Sequence, residues 1–176
     1  QKIIKQLEAE GVLPLTTELE MPILAQRIAV ISSATAAGYD DFCNQLKNNE
    51  WEIPFYAELF PAIMQGDQVE KTILNALDLI LERQDAFDVV VIIRGGGASS
   101  DLSGCDTYFL AAACAQYPLP IITGIGHERD DTVLDAVANV RVKTPTAAAE
   151  FLIGRMIAVY SQLRKLKLTK KSKVSI

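Results

Sequence analysis

Arg94-Gly95-Gly96-Gly97 and Gly126-His127-Glu128-Arg129-Asp130 are two runs that bring together residue types able to hold a phosphate and move a proton. The Arg94 guanidinium offers a planar fork of donors that matches two phosphate oxygens. Gly95, Gly96 and Gly97 lose more conformational entropy on folding than other residue types, so three in a row imply close backbone approach to a ligand or φ > 0 geometry. The plainer alternative is a turn with Arg94 in a structural ion pair. His127 is the single histidine of the chain. An imidazole, with an unperturbed pKa of about 6.5, suits proton transfer near neutral pH. Asp130, three residues on, can share one side of a helical turn with His127, where it would fix the tautomer or stabilise the imidazolium. A lone histidine is often only structural, but one beside a glycine at the end of an apolar strand sits where a parallel sheet binds its ligand.

A third run, Ser32-Ser33-Ala34-Thr35-Ala36-Ala37-Gly38-Tyr39-Asp40-Asp41, places small hydroxylic residues between a strand and a helix. Ser33 and Thr35, with the backbone amides around them, can donate to an anion at the helix N-terminus. Asp41 is either a site carboxylate or, like Asp40, a first-turn acid favoured by the helix dipole. The glycine run lacks the Gly-Lys-Ser/Thr of a Walker A loop and does not spell G-x-G-x-x-G, which argues against ATP or NAD. One histidine and no close cysteine pair would make a catalytic zinc site unusual. Asp41, Asp130 and Asp131 leave Mg²⁺ with retained waters open.

Something must hold these runs together, and the apolar pattern supplies it. Arg27–Ser32, Trp51–Leu59, Asp88–Arg94 and Leu119–Gly124 read as strands bounded by glycine, proline or charge. Tyr39–Glu50, Gln68–Gln84 and Asp106–Tyr117 read as helices, most clearly through Val69, Ile73, Leu77 and Ile80. The expected fold class is α/β: a mostly parallel, Rossmann-like layered sheet with crossover helices. Such sheets bind ligands beyond the carboxyl ends of their strands, here just after Ser32, Arg94 and Gly124. From Pro145 a long helix is expected to leave the domain, with Thr144 or Thr146 near its cap and Leu152, Met156, Val159, Leu163 and Leu166 along one stripe. It is either a packing helix with a solvated basic end or the start of a coiled-coil arm.

Composition bounds the function. The chain has 176 residues, 49% of them hydrophobic and 22% charged, enough for one sizeable core and too apolar for disorder. The net charge of −5 is uneven: from Arg155 onward there are seven Lys or Arg and no acid, which leaves ten basic residues against 22 acidic ones before it. The acidic body lacks the basic stripe that neutralises nucleic-acid phosphates, so the substrate is small or the affinity lies in the tail or outside this chain. Cys43, Cys105 and Cys114 are odd in number and lack C-x-x-C spacing, as expected of reduced core thiols. No apolar run is long enough for a membrane span and the N-terminus is not a signal peptide, so a cytoplasmic location is expected. The chain starts without Met inside a helical pattern, as an excised domain of a longer protein would.

Together, RGGGASSDL, GIGHERDDTVLDAVANVRVKTPTAAAE and SSATAAGYDDF resemble the large subunit of bacterial exonuclease VII, in the family's order and from about Leu13 to Ile153. The resemblance implies an exodeoxyribonuclease that degrades single-stranded DNA to oligonucleotides, from either end, in complex with several copies of a small helical subunit. It carries functional roles to Asp41, Arg94, His127 and Asp130, while phosphate binding by Gly95, Gly96, Gly97, Ser33 and Thr35 is the expectation from their own chemistry. Metal need differs among members, so Mg²⁺ stays open. The family's Glu-Asp-Leu-Trp after the glycines reads Ser100-Asp101-Leu102-Ser103 here, which leaves the Asp101 match intact and gives the family's Glu and Trp no counterpart. Residues 1–154 are then the nuclease catalytic domain and 155–176 a basic helical tail that begins a truncated coiled-coil region, with the family's N-terminal OB-type domain absent from this chain. Two rivals remain at this point: a nucleotide- or phosphosugar-binding module without catalysis, and a scaffold whose tail helix recruits partner helices.

Overall fold

Five consecutive aliphatic residues, Val89–Ile93, form a strand buried along its whole length, the pattern of a strand covered on both faces. The computed structural model describes residues 2–13, 19–35, 37–95, 102–126 and 132–174, with side chains to residue 171. In chain order its elements are α1 (Lys2–Ala9), β1 (Arg27–Ser32), α2 (Ala37–Lys47), β2 (Tyr56–Pro61), α3 (Val69–Glu82), β3 (Val89–Ile93), α4 (Tyr108–Ala115), β4 (Ile121–Gly124), α5 (Val133–Val137), β5 (Val140–Arg141) and α6 (Pro145–Val174). The strands make one sheet in the order β2-β1-β3-β4-β5, every pair parallel. That is the doubly wound order whose switch point, where the connections change direction, lies between β1 and β3.

Alternation along the central strands builds two cores. Ala29 and Ile31 of β1, Val90 and Ile92 of β3, and Ile121 of β4 face α3, α4 and α5, where Ile73, Leu77, Ile80, Leu110 and Leu134 are buried. Ile28 and Val30, Val89, Val91 and Ile93, and Ile122 face the other way, onto Phe42 and Leu46 of α2 and Ala148, Ala149 and Leu152 of α6. The result is the layered α/β architecture expected, with Val69, Ile73, Leu77 and Ile80 on the buried face of α3 as their spacing requires. Cys105 and Cys114 are buried and Cys43 half-buried, all as free thiols.

Element ends shift by one to three residues at most places, and two departures are larger. The strand placed at Trp51–Leu59 starts only at Tyr56, because the residues before it make a tight return from α2. Glu52 has φ +53°, and buried Asn49 closes the turn by donating to the carbonyls of Leu46 at 2.7 Å and Ile53 at 2.9 Å while accepting from the Ile53 amide at 2.9 Å. The fifth strand, Val140–Arg141, is only two residues long, too short for a periodic signal.

The last helix begins at Pro145, with Thr144 as its cap: the Thr144 hydroxyl accepts from the Ala147 amide at 3.1 Å. Its first half packs on the sheet through Leu152 and Met156, both fully buried, whereas every described residue from Gln162 to Lys171 is exposed. The Arg164 guanidinium over the Trp51 ring, 5.0 Å from its centroid, ties the outgoing half to the domain. No helix among the described residues is long and apolar enough to cross a membrane.

Candidate functional site

Beyond the carboxyl ends of β2, β1 and β3 lies an open cleft of about 720 Å³. Its polar side comes from the β1–α2 turn, with Ser32, Ser33 and Thr35, and from Arg94 and Gly95 after β3. The opposite wall is the segment after β2, Pro61 to Gln65, backed by Thr72 of α3. The cleft therefore opens at the switch point between β1 and β3, where a doubly wound sheet leaves room for a ligand.

Arg94 continues β3 by one residue: its amide donates to the Gly124 carbonyl at 3.1 Å, and the residue is 8% exposed. It is thus a cation held on sheet backbone, with most of its surface removed from water. Below it, burial pushes the Cys105 thiol up to about 12, with Asp106 and Asp135 adding to the shift and Arg94 opposing it. Cys105 is accordingly a neutral packing thiol, and Arg94 shares its neighbourhood with two carboxylates. Ser33 and Thr35 form a small local network, the hydroxyls 3.2 Å apart and the Thr35 amide donating to Ser33 Oγ at 3.3 Å. Ser32, at the end of β1, is fully buried, and its hydroxyl has no hydrogen-bond partner among the described residues.

Close backbone approach brings the β1 and β3 turns together. A Cβ on Gly38 would stand 2.8 Å from the Gly95 nitrogen, and one on Gly95 would stand 2.9 Å from the Gly38 nitrogen. The root of α6 lies in the same place: a Cβ on Gly38 would also meet Pro145 Cγ at 3.4 Å, and one on Gly124 would meet the Thr144 carbonyl oxygen at 2.9 Å. The first turn of α2 thus meets Gly95 directly and the root of α6 stands behind it against Gly38 and Gly124, so the positive ends of two helix dipoles lie on the cleft side of the sheet.

The chain returns from both signature runs to one anchorage. The Val133 amide, at the start of α5, donates to Asp106 Oδ1 at 2.8 Å, joining the segment after the glycine run to the segment after the GHERD run. Thr132 caps α5 in a reciprocal box, accepting from the Asp135 amide at 3.1 Å while Asp135 Oδ2 accepts from the Thr132 amide at 3.1 Å. Asp135 is buried and also accepts from Thr123 Oγ1 of β4 at 2.8 Å. Its neighbours satisfy it as a structural carboxylate.

Among the residues singled out from the sequence, Ser33, Thr35, Arg94 and Gly95 line the cleft together. Asp41 is exposed on α2 and does not line the cleft, but it stands three residues from Gly38, a spacing that puts both on neighbouring positions of the helix. Gly96, Gly97, Asp101, His127, Asp130 and Asp131 lie outside the described residues. Among the described residues no three histidine, cysteine or carboxylate side chains gather as a metal site. Sequence reasoning named Ser32 only as the start of its hydroxylic run and missed the wall from Pro61 to Gln65. The same strand-end rule points to that wall once β2 is allowed to run to Pro61, but it carries neither the glycines nor the hydroxyls that drew attention to the other turns.

A sequence model of the family described as "Exonuclease VII, large subunit" matches residues 13–175. The chain belongs to the exonuclease VII large-subunit family. It is 36% identical over 166 residues to the Exodeoxyribonuclease 7 large subunit of Nostoc sp., covering 94% of this chain and 39% of that protein. The large subunit of Lactobacillus johnsonii is 34% identical over 167 residues, 95% of this chain and 36% of the relative. For that of Deinococcus radiodurans the figures are 35% over 162 residues, 91% and 39%. The chain thus spans less than half the length of the curated large subunits it matches. In chemical terms, the domain presents a buried guanidinium and a set of hydroxyls at one sheet edge, an arrangement suited to a tetrahedral oxyanion.

Proposed function

We propose that this chain is the catalytic domain of an exodeoxyribonuclease of the exonuclease VII type, which hydrolyses phosphodiester bonds of single-stranded DNA to oligonucleotides. The observation that carries the proposal is Arg94, buried beside Gly95 at the switch-point cleft of a chain in this family. The Arg94 fork and the amides from Gly95 through Gly97 hold the non-bridging oxygens of the scissile phosphate and offset the charge that builds as water adds. Ser33 and Thr35 complete the cradle. His127 either takes a proton from the attacking water or gives one to the departing sugar oxygen as the phosphorus–oxygen bond breaks, and Asp130 orients its ring. Asp41 positions the water or His127. Mg²⁺, if held through Asp41, Asp130 and Asp131, would add charge neutralisation at the same phosphate.

The acidic body supports a division of labour in which DNA affinity resides outside residues 1–154, in the basic tail or in parts of the assembly beyond this chain. Several copies of the small subunit are the partners this reading gives to the full complex. The location it implies is the cytoplasm. In the assembled enzyme, His127→Ala should reduce degradation of single-stranded DNA by about 100- to 10,000-fold with DNA binding largely intact. Unchanged cleavage removes His127 from the mechanism. Absence of nuclease activity in the intact wild-type assembly, together with tight binding of a small phosphate compound, would instead favour the non-catalytic module.

A further inference from the structure

The cleft is larger than its phosphate cradle needs. At about 720 Å³ it falls in the range of sites that enclose a whole small molecule, and its far wall differs in chemistry from its polar side. Pro61 to Gln65 contains no cation, and the next charged residue is acidic Asp67, so this wall is not built for a second phosphate. Its side chains alternate: Ala62 and Met64 are buried at 7% and 5% exposure, while Ile63 between them is 50% exposed.

Ile63 is displayed by a fixed backbone. Its amide donates to Thr72 Oγ1 at 2.9 Å, its carbonyl lies 3.2 Å from the same hydroxyl, and the preceding Ala62 amide donates to the Ser32 carbonyl at 2.9 Å. The segment is thereby tied to α3 on one side and to β1 on the other. Other large apolar side chains of the domain are as exposed, but Ile63 is the one that lines the cleft with Arg94, where a ligand held by its phosphate would bury it.

We infer that Ile63 forms the nucleobase subsite of this cleft, packing on the flat face of the base attached to the nucleotide whose phosphate Arg94 holds. This inference rests on the phosphodiesterase reading and adds a substrate contact to it. Packing on a base face is tolerant of sequence, because every base presents a π surface. The exposed amide of Gln65 is placed to reach the edge of the base or its sugar with both donor and acceptor atoms.

The experiment uses the assembled enzyme and two single-stranded oligonucleotides, one with normal bases throughout and one with stable abasic sugars in the terminal segment that is cut. Ile63→Ala should lower kcat/KM on the normal strand about five- to tenfold, the scale of one lost apolar contact. On the abasic strand wild type and Ile63→Ala should be equal, since the contact is already gone. Ile63→Phe should restore or raise the rate on the normal strand only. Equal losses on both strands, or no loss on the normal one, would overturn the subsite. Because Ile63 is half exposed, these substitutions leave the core unchanged. A silent Ile63→Ala alongside an inactive His127→Ala would sink the base subsite alone, whereas an active His127→Ala would strike at the mechanism beneath it.

Discussion

Gly38 and Gly95 meet backbone to backbone, each leaving less than 3 Å between its neighbour's nitrogen and any Cβ it could carry. The contact fastens the first turn of α2 to the strand end that bears Arg94. Gly38→Ala or Gly95→Ala must push the two turns apart, at a cost of about 1–3 kcal/mol in urea unfolding. Because either methyl opens the same contact, the double variant should lose less than the sum of the two. Full additivity would mean that the turns yield independently.

Ser32 carries the opposite expectation. A buried hydroxyl with no partner among the described residues weakens the fold, so Ser32→Ala should leave the urea midpoint unchanged or raise stability by about 1 kcal/mol. If that hydroxyl serves a ligand in the cleft, the same variant should cut DNA more slowly in the assembled enzyme. A loss of stability with full activity would assign Ser32 to the fold instead.

Asp88, at the start of the β3 segment, predicts a pH dependence. Burial pushes its carboxyl up, but the Arg27 guanidinium at 2.8 Å and the amides of Arg27 at 2.8 Å and Gln26 at 3.1 Å outweigh this, holding it below the ordinary aspartate value. A carboxyl depressed by folding stabilises the protein fully above its unfolded pKa, and that stability is lost as the pH falls through the folded value. Asp88→Asn should therefore cost about 1–3 kcal/mol at pH 7. The gap to wild type should narrow below about pH 4 and close further down. Urea midpoints at pH 7, 4 and 3 would measure it, and a gap independent of pH would show that the Asp88 contacts do not depend on its charge.

The parts of the fold that read directly from the sequence are those where burial and periodicity agree. RIAVIS and VVVII are apolar because both faces of β1 and β3 are covered, and Val69, Ile73, Leu77 and Ile80 repeat because one face of α3 is. Val140–Arg141 and Val133–Val137 are too short to set a period, and the Thr132 and Asp135 pair that caps the latter was not picked out from the sequence. Trp51 to Phe55 look like strand because they are apolar and aromatic, yet the positive φ at Glu52 turns the chain there. In the site, Arg94 and Gly95 were legible through the glycine run. Gly38 was not singled out, although a glycine inside a helix costs about 1 kcal/mol and so calls for a steric reason. Ile63 escaped because its significance lies in being apolar where the fold leaves it exposed, a property no window of sequence contains.

The root of α6 gives that helix mechanical significance. Thirty residues at about 1.5 Å each make a rod of roughly 45 Å, pinned where Thr144 and Pro145 press on Gly124 and Gly38. Its root stands beside the edge that carries the cleft, its first half is clamped on the sheet and its basic half extends into solvent. A sideways force on the far end is met first by the packed half and by the Arg164–Trp51 contact, and the glycines at the root leave little room for that half to shift.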